Sequence, residues 1–172
     1  MGGRRSQARC YAVLALYQWQ LTGQDPVEIG RHFLDDPAWV GGVAASLDDL
    51  EEAPDSSAES GQAYDLELFR QLLYGVPARR KELDACLQPV LDRPIERVDP
   101  VECAILRAGA YELLYSPSVP YRVAINEAVD LAKLFGAEQG HRYVNGVLDR
   151  VARDIRDGET DAIELTGSSR KR

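Results

Sequence analysis

Apolar residues recur at spacings of three and four along most of this chain, and nowhere do they alternate in a sustained period of two. The pattern predicts an all-α protein of about seven helices, with no internal repeat. Its first helix spans residues 5–21, with Cys10, Val13, Leu14, Tyr17 and Leu21 on the recurring positions and Gly23 as the stop. Asp25, Pro26 and Glu28 then form a second start. An aspartate caps free amides, a proline lacks only an N–H that the first turn does not use, and a glutamate sits three residues after the cap. This helix runs through Ile29, Phe33 and Leu34 and ends before Pro37.

Residues 36–62 break the pattern. Gly41, Gly42, Ser46, Pro54, Ser56, Ser57, Ser60 and Gly61 punctuate an acidic run, so the segment reads as a loop or insertion. Trp39, Val40, Val43, Leu47 and Leu50 are expected to add one short helical turn. Periodicity returns at Leu66, Phe69, Leu72, Leu73 and Val76. Pro77 is expected to open the next helix, carrying Leu83, Cys86, Leu87, Val90 and Leu91. Asp99, Pro100 and Glu102 repeat the earlier start. The helix that follows, 101–114, is apolar on most sides and is expected to be central, with Gly109 permitting a close helix contact. Pro120 opens a helix with Ile125, Ala128, Val129, Ala132 and Phe135 facing inward, and Gly136 ends it. The last helix is expected over 138–155 with Gly158 following, and 159–172 as a flexible tail. The whole reads as one domain, 1–172, with an N-terminal lobe over about 5–92 and a C-terminal lobe over about 98–156, Pro94 lying in the dividing loop.

Charge changes the picture. The net charge of −8 by itself argues against a nucleic-acid partner, but the way it is distributed points the other way. Residues 35–67 hold ten acids and neither Lys nor Arg, which leaves 18 acids against 20 bases elsewhere. Arg4, Arg5 and Arg9 crowd a helix start whose dipole favours acids, and phosphate oxygens match their forks. Tyr11, Tyr17 and Trp19 on the same helix offer flat faces for bases. A basic solvated end with core aromatics explains the same residues. A second polar set comprises Tyr121, Arg122, Asn126, Lys133, His141, Arg142 and Asn145, with Asn145 expected to point mostly inward.

Catalytic signals are thin, and no enzyme activity is expected. Two histidines, His32 and His141, cannot form a three-histidine metal site, and Cys10, Cys86 and Cys103 lack CxxC spacing. No cofactor and no metal are expected. Neither a signal-peptide pattern nor a run of ~18 apolar residues occurs, so a cytoplasmic protein without a membrane partner is expected.

Residues 12–23, built on Leu16-Tyr17-Gln18-Trp19-Gln20-Leu21, resemble the first helix of the transcription antitermination factor NusB family. Val101-Glu102-Cys103-Ala104-Ile105-Leu106-Arg107 with Tyr111-Glu112-Leu113 resembles the family's central helix. The most distinctive block is Val119-Pro120-Tyr121-Arg122-Val123-Ala124-Ile125-Asn126-Glu127-Ala128, continuing to Phe135-Gly136, and Arg142-Tyr143-Val144-Asn145-Gly146-Val147-Leu148-Asp149 completes it. The resemblance implies two packed helical lobes without catalysis. It implies binding of boxA RNA in ribosomal RNA transcripts together with NusE, the small-subunit ribosomal protein, and indirect partnership with RNA polymerase and the other Nus factors. Carried onto this chain, RNA contacts fall on Arg4, Arg5, Arg9, Tyr17, Lys133, Phe135, His141 and Arg142. Glu82, Glu102 and Glu112 are candidates for the protein partner, and homodimer formation stays open. The arginine tract is shorter and the acidic segment longer than in many members. The rival readings are a protein-binding helical scaffold without RNA specificity, and the RNA-targeting module of a ribosomal-RNA cytosine methyltransferase. No dinucleotide-like fold accompanies the helices, so a stand-alone methyltransferase is not expected.

Overall fold

Asp25 and Asp99 start their helices as the sequence dictates. The Asp25 carboxylate accepts from Val27 N–H at 2.8 Å, and that of Asp99 accepts from Val101 and Glu102 at 2.9 and 3.2 Å. The computed structural model describes residues 3–35, 64–135 and 139–167. These contain seven α-helices and no strand: α1 (Arg4–Thr22), α2 (Pro26–Asp35), α3 (Leu66–Ala78), α4 (Arg80–Leu87), α5 (Pro100–Tyr115), α6 (Tyr121–Phe135) and α7 (Gly140–Gly167). Two 3-10 turns, Gln88–Val90 and Ile95–Arg97, lie between α4 and α5. The expected acidic loop of 36–62 with its apolar turn, the Gly136 stop and the start at 138 lie outside the described residues.

The chain divides into two compact units, Met1–Arg79 and Arg80–Arg172. In the first, α1, α2 and α3 all pack on one another. Helix α1 ends where Gly23 takes a left-handed φ of 67° and donates its N–H to Trp19 C=O at 2.9 Å, a geometry that costs glycine little. The core is aromatic: Tyr64 meets Tyr11 and Phe69 edge-on at 4.9 and 5.7 Å, and Phe33 lies 5.6 Å from Phe69. Such rings contribute about 0.5–1.5 kcal/mol per pair beyond the area they bury.

In the second unit α5 is the central element, packed against α4, α6 and α7. Residues 103–110 are buried without a break. Gly109 makes the approach of α7 possible. A Cβ there would lie 2.7 Å from Leu148 Cδ1 and 3.6 Å from Ala128 Cβ.

Five expectations are corrected. Pro77 does not open α4; it sits in the last turn of α3, where the missing N–H sacrifices one hydrogen bond while Leu68, Phe69, Leu72, Leu73 and Val76 hold the helix in the core. Arg79 N–H closes that turn onto Gly75 and Val76 carbonyls at 3.0 and 3.2 Å. Helix α4 stops at Leu87 because Pro89 follows, so Val90 lies in a 3-10 turn and Leu91 beyond it. The units divide between Arg79 and Arg80 rather than at Pro94, since α4 commits Leu83 and Leu87 to burial and Asp84 to α5. Helix α7 continues through Gly158 to Gly167, so a flexible tail beginning at 159 is not what the backbone adopts. A mid-helix glycine costs only about 1 kcal/mol, which its helix can absorb. Finally, Asn145 is exposed rather than inward.

Candidate nucleic-acid interface

On the first unit the candidates lie along α1. Gly3 gives no side-chain cap, and the first turn holds no acid, so positive backbone charge and two exposed arginines, Arg4 and Arg5, coincide. Asp65 anchors this end. Its N–H donates to Arg4 C=O at 3.0 Å, its carboxylate caps α3 at Leu68 N–H, also at 3.0 Å, and Arg5 lies 3.7 Å from it. The Arg5 side chain is still 55% exposed, so the pair is a weak surface contact that leaves the guanidinium accessible. Arg9 differs from expectation: it is 4% exposed, on the buried face beside Ala8 and Cys10, and engaged within the protein. An arginine in that position does not present an open fork to phosphate. Tyr11 is likewise a core residue, 2% exposed, whereas Tyr17 is half-buried and keeps part of its ring accessible.

On the second unit Lys133 and Phe135 close α6, and His141 and Arg142 begin α7, so the four flank one helix–helix connection. Lys133 and Arg142 are exposed; Phe135 and His141 are half-buried. Lys133 also complements the dipole at the end of α6. The first turn of α7 holds no acid.

This turn is held from two sides by residues that local sequence reasoning missed. Tyr143 donates its hydroxyl to Asp92 Oδ1 at 3.1 Å, and Arg93 Cζ stands 5.3 Å over the Tyr143 ring. Hydrogen bonding to Arg93 and then to Tyr143 holds the Asp92 carboxyl below its ordinary range, while burial pushes the Tyr143 phenol up. On the other side buried Gly140 lies close to the carboxylate end of the Glu102 side chain. Burial, and then the nearby Asp99, raise the Glu102 carboxyl. Asp92 and Tyr143 lie 51 positions apart in the chain, so no periodicity could have joined them.

Tyr121, at the start of α6, carries two guanidinium groups: Arg156 Cζ is 4.3 Å from the ring centroid and Arg122 Cζ 5.7 Å. Arg122 Nε also donates to the Tyr121 hydroxyl at 3.1 Å, which lowers the phenol from its usual range. Of the three glutamates considered for a protein partner, Glu82 is exposed and accepts from the Tyr115 hydroxyl, and Glu102 is half-buried. Glu112 is 3% exposed and engaged inside α5's packing, which removes it from any partner surface.

Among the described residues no group of three or more His, Cys, Asp or Glu side chains could hold a metal ion. None of the described helices is long and apolar enough to cross a membrane.

Comparison with known proteins agrees with this architecture. The chain is 51% identical over 156 residues to the transcription antitermination protein NusB of Nitrosococcus oceani, covering 91% of this chain and 90% of that protein. It is 49% identical over 164 residues to the transcription antitermination protein NusB of Alkalilimnicola ehrlichii, covering 89% and 84% respectively. A crystal structure of the antitermination factors NusB and NusE in complex with dsRNA superposes with a TM-score of 0.63 at 26% identity, over 87% of this chain and 96% of that one. The NusB family model matches residues 6–153, and with this helical order and site geometry, the chain belongs to the NusB family.

Proposed function

We propose that this protein is a transcription antitermination factor that works in the cytoplasm, binding boxA RNA of ribosomal RNA transcripts jointly with the ribosomal protein NusE and coupling that RNA to RNA polymerase and the other Nus factors. It is not an enzyme; its family consists of non-catalytic RNA-binding adaptors. The observation that carries the proposal is the 51% identity to a transcription antitermination protein over nine-tenths of both chains. The geometry supports it. Arg4 and Arg5 meet phosphates at the acid-free start of α1, and Tyr17 stacks a base. Lys133, Phe135, His141 and Arg142 form the second contact, around the α6–α7 connection. With Arg9 interior, only Arg4 and Arg5 of that arginine tract reach solvent, which favours joint binding with NusE. Glu82 and Glu102 remain for the protein partner, since both reach the surface.

The test is fluorescence anisotropy of labelled boxA RNA and a scrambled control, with and without NusE, at two salt concentrations. Selective binding that NusE strengthens is expected. Equal binding to both RNAs, or none with NusE present, overturns the proposal.

A further inference from the structure

Tyr143 occupies an unusual place: it is adjacent to Arg142 on α7, yet its hydroxyl is committed to a loop that belongs to neither α6 nor α7. That loop is itself braced. The Gln88 carboxamide donates from Nε2 to Arg93 C=O at 3.1 Å and accepts at Oε1 from Ile95 N–H at 3.0 Å. Within it Arg93 forks onto the Asp92 carboxylate at 2.7 and 3.0 Å, and the same guanidinium covers the Tyr143 ring. The Asp92 oxygen that receives the tyrosine hydroxyl thus also accepts from Arg93 Nε, in a pair exposed at both ends. At the opposite side of the turn Gly140 is buried, close to the carboxylate end of Glu102 of α5. His141 and Arg142 are the two residues between buried Gly140 and the tethered Tyr143, and each step along a helix turns a side chain through ~100°. Sliding or rotation of this turn would therefore re-aim both. A phenylalanine at 143 would fill the ring's volume and keep the Arg93 stack. Only the hydroxyl supplies a direction.

We propose that the Tyr143–Asp92 hydrogen bond is a positioning device: it sets the orientation in which His141 and Arg142 meet RNA, and Tyr143 and Asp92 are positioning residues rather than RNA contacts. The inference rests on the RNA-binding reading of His141 and Arg142. The Arg93–Tyr143 arrangement has a second effect, because it keeps the Asp92 anion engaged beside residues that meet phosphates.

The experiment measures boxA RNA affinity in the presence of NusE, and the urea midpoint, for the full chain and its variants. Tyr143→Phe is expected to weaken binding about 5- to 10-fold, within the range for one ordinary intramolecular hydrogen bond, with little change in midpoint. Asp92→Ala is expected to match it, while Asp92→Asn, whose amide oxygen still accepts, stays within about twofold of wild type. In a His141→Ala/Arg142→Ala background, Tyr143→Phe is expected to cost less than about twofold, since nothing remains to be aimed. An undiminished loss in that background overturns the proposal, because Tyr143 then acts on RNA or on stability by itself. Unchanged affinity for Tyr143→Phe, where the double alanine variant loses affinity, overturns the positioning role and leaves the RNA-binding reading intact. No loss in the double alanine variant overturns both the reading of this helix start and the inference built on it.

Discussion

Asp84 on α4 and Arg107 on α5 face each other through two parallel hydrogen bonds, Nε to Oδ1 at 2.9 Å and Nη2 to Oδ2 at 3.0 Å. The two ends are not equally wet: the Arg107 side chain is 9% exposed and that of Asp84 is 21% exposed, with Arg80 a further 3.7 Å from the carboxylate. Removing the acid leaves a charge in the interior, whereas removing the arginine leaves an acid that still meets water and Arg80. Asp84→Asn is therefore expected to destabilise by about 3 kcal/mol, toward the lower end of the range for breaking a buried pair. Arg107→Met is expected to cost less than half of that. Urea denaturation of both variants checks the order; a larger loss for Arg107→Met contradicts this account.

Gly109→Ala sets helix propensity against packing. Alanine gains about 1 kcal/mol in an exposed helix, but overpacking a full core costs about 1–3 kcal/mol. Leu148, the side chain in the way, has no exposure into which to retreat. The expected net result is a loss of about 1 kcal/mol, with Gly109→Val worse. A stabilised alanine variant in thermal melts would show that Leu148 re-packs freely.

The arginines at the start of α1 divide by burial. Arg4→Gln and Arg5→Gln are each expected to weaken RNA binding and to flatten the plot of log affinity against log salt by roughly 0.7, the value for one phosphate contact on a single strand. Arg9→Gln is expected to lower stability instead and leave that slope unchanged, because Arg9 is interior. A slope change for Arg9→Gln without destabilisation would reverse the assignment.

Burial pushes the Cys10 thiol up to about 12, against about 8.5 for a free cysteine. The folded state holds the proton more tightly, so this contribution to stability is complete below the unfolded value and falls as pH rises from about 9 toward 12. The slope approaches ~1.36 kcal/mol per pH unit for this one group. Cys10→Ala is expected to flatten the alkaline limb of the stability profile. In the native protein at pH 8, thiol labelling followed by mass spectrometry is expected to modify half-buried Cys86 before Cys10 and Cys103, both buried.

Features that act within one helical turn were legible in the sequence. The Asp25 and Asp99 caps, the Gly23 stop and the buried stripe of α5 follow from a few neighbouring residues, and each appears where the spacing predicts it. Features decided by competition between neighbours were not. Pro77 and Gly158 are breakers by composition, but each sits in a helix whose other residues outweigh the loss of one bond or a little entropy. Side-chain fate was least legible. Arg9 reads like its neighbours Arg4 and Arg5, and only the packing of α1 separates them. Tyr143 and Asp92 meet from 51 positions apart, beyond any local rule.

The pairing of α1 with α3 also has a consequence in time. Residues 23–65 separate the two helices in the chain, and at about 5–20 residues per second a ribosome needs roughly 2–9 s to add them. Through that interval α1, which carries the buried Tyr11, Val13 and Leu16, lacks α3 as a packing partner. Residues 35–65, made in this interval, bring nine acids and neither Lys nor Arg, so the nascent chain turns from net positive to net negative while its first helix still awaits its partner.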